Sequence, residues 1–298
     1  MKVPRLLGFA SILAGFVLFA GLVAGLGSCR LVRPLEKAEP GTVAPRMLEP
    51  GGLLDAAARG DLVRARELAE ADPSLLEATD AVGWDALSYA AWNDHHQVYD
   101  YLLQKGAEGN LFTEAALGPW ESFLQRLDTN PIGIDSRDTK QKATPLVWAI
   151  RTGNEAGCEL LLLRGAKVTA RDREGNSVVH HAVLMDQLGL VDSLLFAGAE
   201  VDAVNRLGQT ALHLATEAGS FEACRLLLDK GAALDLPDQG GNTPLHRAAE
   251  LGNFELCEYF LFFGARPSLQ NVAGRTPLDL ATDQGHERVI ELLQAQTR

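Results

Sequence analysis

The chain lacks the short motifs by which many enzymes are identified, and this narrows the functions to be expected. Its 298 residues contain no Walker loop, no GxSxG elbow, no HExxH helix and no CxxC pair, the motifs that position phosphates, nucleophiles or metals. Basic residues are also few, because 27 Lys and Arg stand against 39 Asp and Glu. Binding of nucleic acid needs a basic face. We therefore expect no catalysis, no cofactor and no nucleic-acid partner.

A period of 33 residues runs through the second half of the chain. The positions that share this period are Thr144, Ser177, Thr210, Thr243 and Thr276. Thr or Ser followed by Pro is typical of a helix start, because the hydroxyl caps a free N–H and Pro needs no donor there. Nine residues later comes Gly, replaced once by Asp186, and Gly-Ala comes twenty-one residues after the first four of these positions. These glycines fit a turn between two helices and a left-handed residue after the second one.

This period and its opening, as in Thr243-Pro244-Leu245-His246, resemble the ankyrin repeat. The resemblance implies an all-α solenoid of about eight helix-turn-helix units joined by β-turns or hairpins. The unit at 110–143 is degenerate, since Pro119 stands at its turn and no Gly-Ala ends it. The predicted repeat domain, 51–298, consists of units 51–84, 85–109, 110–143, 144–176, 177–209, 210–242, 243–275 and 276–298, the last being a cap.

The cysteines and histidines follow the same period and are predicted to be structural. Cys158, Cys224 and Cys257 each lie fourteen residues after the Thr position. They are expected in the core, because neighbouring helices lie too far apart for an unstrained disulfide. The resemblance further implies that the histidines of the TPLH position form hydrogen bonds between neighbouring loops and bind no metal. These are His180, His213 and His246.

The N-terminus has the pattern of an export signal. Lys2 and Arg5 precede an uncharged stretch, Leu6–Ser28, and the segment Leu26–Cys29 resembles the lipobox of bacterial lipoproteins. This predicts a signal peptide at 1–28, lipidation of Cys29 and a Pro-rich tether at 29–50. An uncleaved anchor is the alternative, because 23 uncharged residues reach the roughly 20 that cross a bilayer. In both cases the repeats would lie outside the cytoplasmic membrane, in the bacterial cell envelope.

The resemblance places a protein partner on the concave face, which hairpin tips and inner helices form. Trp and Arg are frequent anchors of interfaces, although each such residue here could equally be an ordinary packing residue. Trp148 lies deeper on its helix and is predicted to be core. The predicted partner-binding residues are Trp84, Trp92, Arg151, Arg173, Leu184, Met185, Arg206 and Leu207.

Three functional hypotheses remain open at this point. The leading one is a membrane-tethered, extracytoplasmic scaffold that binds a protein, as an immunity-type inhibitor or as a helper of an envelope protein. The second is an enzyme that uses the irregular N-terminal repeats around 84–138. The third is a passive envelope spacer. The sequence leaves the oligomeric state undetermined.

Overall fold

The computed structural model describes residues 52–296, except for the side chains of Trp120 and Ile132. Within this range the chain forms sixteen α-helices and two 3₁₀ helices, and no β-strand. The first helices of the eight successive pairs are α1 (Leu53–Arg59), α3 (Ala86–Trp92), α5 (Leu111–Leu117), α7 (Pro145–Arg151), α9 (Val178–Leu184), α11 (Ala211–Glu217), α13 (Pro244–Glu250) and α15 (Pro277–Gln284).

The second helices are antiparallel partners that follow short turns. They are α2 (Leu62–Ala71), α4 (His96–Gln104), α6 (Trp120–Thr129), α8 (Glu155–Leu163), α10 (Leu188–Phe196), α12 (Phe221–Asp229), α14 (Phe254–Phe262) and α16 (Glu287–Gln296). The 3₁₀ helices, Pro73–Glu77 and Pro131–Asp135, follow α2 and α6. This arrangement confirms the predicted ankyrin-type solenoid of about eight units.

The helix starts lie where the sequence predicts them. Ser177 and Thr210 directly precede α9 and α11, and each side chain accepts a hydrogen bond from the backbone N–H three residues later. Asp85 does the same for α3, with Ser88 N 2.6 Å from its Oδ1. Thr144 differs, because its buried hydroxyl has no hydrogen-bond partner, although α7 still begins directly after it. Four orphan N–H groups at a helix start make such caps stabilising.

The turn between the two helices of a unit requires a left-handed residue. Gly153 has φ 66° and Gly219 has φ 67° at this position. Asp94 and Asp186, which replace the glycine in two units, adopt the same conformation with φ 59° and 55°. Asp tolerates this region better than most residues, so the turn keeps its shape where the glycine is missing.

The units stack through their first helices, each of which contacts the first helix of the next unit. An alanine in the middle of these helices allows the close approach, and Ala149, Ala182 and Ala215 are fully buried. Cys158, Cys224 and Cys257 are free and buried, as predicted, and burial raises the pKa of each thiol to about 12.

The helices of residues 52–296 are all too short or too polar to cross a bilayer. The predicted signal peptide or anchor, the lipidation site at Cys29 and the tether lie outside the residues that the structure describes.

Candidate functional site

Three buried histidines join neighbouring units and are thereby committed to the framework. His180 Nδ1 lies 3.2 Å from Ser177 N, and its Nε2 lies 2.9 Å from the carbonyl oxygen of Gln209 in the next hairpin. A carbonyl only accepts, so Nε2 carries the hydrogen and Nδ1 accepts. His213 and His246 repeat this arrangement. Burial lowers the pKa of His180 to about 4, which keeps the ring neutral. Among the described residues, no group of three or more His, Cys, Asp or Glu could hold a metal ion.

Four hairpins contain a carboxylate that accepts a hydrogen bond from the first helix that follows. The donor is chemically different each time, yet it occupies the same position of the helix. The pairs are Asp80 with the Tyr89 hydroxyl (2.8 Å), Asp138 with the Trp148 indole (3.2 Å), Asp172 with His181 Nε2 (3.0 Å) and Asp238 with the Arg247 guanidinium (2.9 Å). These pairs fix the donor side chains against the hairpins, and three of the four donors are buried there. We call the surface that first helices and hairpins share the inner surface.

The hairpin tips of the later units are linked by one backbone hydrogen bond per junction. Arg173 N donates to Gln141 O, Arg206 N to Glu174 O, Gln239 N to Leu207 O and Val272 N to Gly240 O. The degenerate unit interrupts this series, because only residues 105–110 connect α4 to α5. Lys140 bridges the gap, since its Nζ lies 3.4 Å from Asp80 Oδ2, in a hairpin sixty residues earlier.

An aromatic cluster fills this gap. Trp84 packs against Trp92 and Trp148 with ring centroids 5.6 and 5.1 Å apart, and Lys140 Nζ lies 5.0 Å from the Trp84 ring. Trp84 is therefore only 3% exposed. The sequence leaves open whether Trp84 binds a partner or packs inside the array, and in the structure Lys140 and Trp148 cover it. Trp148 is 1% exposed, as predicted for a core residue.

Arg151 extends the aromatic cluster towards the next units. Its guanidinium lies 4.0 Å from the centre of the Trp92 ring, a cation–π stack on a half-buried indole. Burial lowers the pKa of Arg151 to about 10, although Asp172, Asp94 and Glu174 act in the opposite sense. Its Nε is buried and has no hydrogen-bond partner. Arg151 thus remains charged at neutral pH but lacks part of its hydrogen bonding.

The other predicted partner-binding residues are spread along the array. Leu184 and Met185 are half-buried at the end of α9, and Leu184 is at the position that Arg151 occupies one unit earlier. Arg173, Arg206 and Leu207 are exposed at the hairpin tips, and Leu207 retains 60% of its surface. The structure thus brings Trp84, Trp92 and Arg151 together, whereas the tip residues stand apart from them.

One charged cluster was not predicted from the sequence. Arg247 contacts three carboxylates, Glu217 at 3.4 Å, Asp238 at 2.9 Å and Glu250 at 3.1 Å. The available signal was the spacing of nine residues from Asp238 to Arg247, which equals that from Asp80 to Tyr89 and from Asp172 to His181. Burial raises the pKa of Glu217, and repulsion by Asp238 and Glu250 adds to this against the attraction of Arg247.

Comparison with known proteins finds ankyrin repeats in this chain. The family model for ankyrin repeats (three copies) matches residues 115–205 and 179–271. Ankyrin repeat domain-containing protein 40 of Mus musculus is 29% identical over 94 residues, which cover 32% of this chain and 26% of that protein.

Two further relatives match shorter stretches. Arf-GAP with coiled-coil, ANK repeat and PH domain-containing protein 2 of Gallus gallus is 44% identical over 52 residues, or 17% of this chain and 7% of that protein. NAD-capped RNA hydrolase NUDT12 of Homo sapiens is 37% identical over 59 residues, or 20% of this chain and 13% of that protein. The chain thus spans about a quarter or less of the length of these relatives.

Proposed function

The chain belongs to the ankyrin repeat family, and from this premise we propose that it is a membrane-tethered, extracytoplasmic scaffold that binds one protein partner on its inner surface. The family supports the general part of this function, because ankyrin repeats are protein-binding modules. The tether, the compartment and the binding residues are the specific part of the proposal. Neutralising a toxic effector and assisting an envelope enzyme are the two roles that fit it.

The stacked pair Trp92 and Arg151 is the observation that favours the inner surface. Both residue types are frequent energetic anchors of protein interfaces, particularly where they are partly desolvated. Trp92 is held by Trp84 and Trp148, and Arg151 is held by the Trp92 ring. Side chains fixed before binding lose little conformational entropy in a complex. Leu184 and Met185 supply adjacent apolar surface.

The N-terminal sequence supports the tether. Two positive charges, the uncharged stretch Leu6–Ser28 and the lipobox-like segment ending at Cys29 are typical of a lipoprotein signal. The segment 30–50 contains four prolines and would extend at about 3.1 Å per residue where it is polyproline-like. Such a tether would let the array reach a soluble partner some distance from the bilayer.

The binding role is tested by crosslinking in cells that make the full chain. We expect a defined crosslinked partner, and we expect it to be lost when Trp92 and Met185 are both changed to Asp, because two buried charges would oppose docking. The control is Glu222→Gln, a change at an exposed residue of the second helix α12, away from the inner surface. An unchanged crosslink in the double variant would exclude this surface as the binding site.

The tether is tested separately, by intact mass and membrane fractionation of the chain and its Cys29→Ala variant. Acylation of an N-terminal Cys29, lost in the variant, would support the lipoprotein proposal. A membrane-bound chain that retains residues 1–28 in both forms would indicate the uncleaved anchor instead. A chain in the soluble fraction in both forms would contradict any tether.

A further inference from the structure

The cluster around Arg247 carries more negative than positive charge. One guanidinium contacts the three carboxylates of Glu217, Asp238 and Glu250, so the group has a formal charge of about −2 at neutral pH. Its members are partly or fully buried, and the side chains of Asp238 and Glu217 are 4% and 23% exposed. Because water screens such charges poorly, the cluster would be stabilised by another cation.

A second cluster, also with more carboxylates than cations, surrounds Arg151. Its guanidinium attracts the carboxylates of Asp94, Asp172 and Glu174, and Arg173 adds a second positive charge beside Glu174. His181, which is bonded to Asp172, stays neutral because burial lowers its pKa. Burial also raises the pKa of Asp94 and of Glu174, and repulsion by Asp172 adds to the effect at Glu174.

His181 gives an independent indication that this second cluster is incomplete. The residue is 2% exposed, and its Nε2 donates to Asp172. Nδ1 is therefore an acceptor in the neutral ring, yet it is buried and has no hydrogen-bond partner. A buried acceptor without a donor is destabilising. The hydrogen bonding of this second cluster is therefore incomplete within the described residues.

We infer that the inner surface recognises a cationic protein segment, with one Lys or Arg side chain approaching the cluster of Arg151 and another the cluster of Arg247. This inference rests on the proposed binding function and specifies the chemistry of the partner. The same helix position is occupied by Arg151, Leu184, Glu217 and Glu250 in four successive units. An apolar side chain between the two cations would thus lie on Leu184 and Met185.

The spacing of the clusters limits the partner further. They are centred two units apart, which is about 16–20 Å if neighbouring helices lie 8–10 Å apart. An extended chain advances about 3.3 Å per residue, so the two cations would stand about five or six residues apart.

A labelled synthetic peptide tests this directly against the full chain. The peptide carries two arginines about six residues apart and a leucine between them, and its counterpart has citrulline at both arginine positions. Citrulline keeps the shape and most donors but has no charge. By fluorescence anisotropy, we expect the arginine peptide to bind at least about tenfold more tightly, and the difference to shrink as salt is raised.

Two double variants localise the interaction. Glu174→Gln with Glu217→Gln removes one charge from each cluster, and we expect the affinity for the arginine peptide to fall about tenfold or more. Glu222→Gln with Glu255→Gln removes the same net charge from exposed positions of the second helices and should change affinity less than about twofold. Circular dichroism checks that both variants are folded.

Equal binding of the two peptides, equal losses in both double variants, or no binding of the arginine peptide would each overturn the inference. The proposed function would survive any of these results if the crosslinked partner were still lost on changing Trp92 and Met185. The opposite outcome is also distinguishable. If the crosslink persisted in the variant of Trp92 and Met185 while the arginine peptide still bound selectively, the proposed surface would be contradicted in cells, but its preference for cations would not.

Discussion

At the scale of single residues, replacing glycine by alanine should have opposite effects on stability at two positions that have equal free space around them. Gly231 follows helix α12 with φ 85°, and Gly189 lies within helix α10 at an ordinary φ. A Cβ at either position would meet nothing within 4 Å. Steric space is thus equal, and only backbone conformation differs. Gly231→Ala should destabilise by about 1 kcal/mol, whereas Gly189→Ala should stabilise by about 0.5–1 kcal/mol.

Urea unfolding of the two alanine variants measures this difference. The pair forms its own control, because each variant adds one methyl group to an exposed glycine. Equal shifts of the same sign would show that the assigned left-handed conformation of Gly231 has no energetic consequence.

His180 makes stability depend on pH. Its pKa is about 4 in the folded chain and 6.5 without burial, so the unfolded chain binds the proton first as pH falls. The stabilising contribution is complete above pH 6.5 and is lost as pH falls towards 4. Relative to His180→Gln, which cannot titrate, the advantage of the original residue should shrink by about 2 kcal/mol between pH 6.5 and 5.

Urea unfolding at both pH values, for the original chain and the variant, gives this difference and cancels the contributions of other groups. A constant difference between the two proteins across this range would contradict a neutral, buried His180. A ring titration near its ordinary pKa, followed by NMR, would contradict it independently.

At the scale of the repeat unit, the hairpin residue and the helix residue nine positions later change together within this chain. Asp172 is followed by His181 and Asp238 by Arg247, whereas Asn205 is followed by Leu214 and Asn271 by Leu280. A buried carboxylate needs a donor on the helix, and an uncharged amide does not. The two kinds of unit thus pack the hairpin against the following helix with two different residue pairs.

This pattern predicts a rescue. His181→Leu alone should destabilise by about 2–3 kcal/mol, because it removes a donor from a buried carboxylate. Adding Asp172→Asn converts the unit to the pair found at Asn205 and Leu214, and should restore more than half of the loss. A thermodynamic double-mutant cycle by denaturant unfolding checks this. Strictly additive effects would mean that the two residues are not coupled.

The repeated elements could be predicted from the sequence, and the candidate site only partly. Helix starts such as Ser177 and turn residues such as Asp186 are determined by local chemistry, which a 33-residue period reveals. The burial of Trp84 depends on Lys140 and Trp148, which lie more than fifty residues later in the chain, beyond a unit without a hairpin. No local pattern contains that distance, so the sequence alone does not distinguish a partner-binding Trp84 from a buried one.

At the scale of the whole molecule, stability is distributed between neighbouring units. Within residues 52–296 the last unit, α15 and α16, packs against the unit that precedes it. Arrays of this kind lose structure from their ends. Leu293 is fully buried in α16, and Leu293→Ala should cost about 2–5 kcal/mol locally.

Hydrogen exchange followed by mass spectrometry tests how far that loss extends. We expect faster exchange in α15 and α16, a smaller change in α13 and α14, and none in α7 to α10. A uniform increase over all helices would indicate instead that the array unfolds as one cooperative block.

The hydrogen bonds between hairpin tips have a consequence for how such a protein changes over evolutionary time. Each bond joins main-chain atoms only, as between Arg206 N and Glu174 O, so it survives almost any side chain at the tip. Selection for a new partner can therefore act on positions such as Arg173, Arg206 and Val272 without first passing through unstable intermediates. The fold supplies neutral sites at the surface where recognition is decided, and a binding preference can change there by single substitutions.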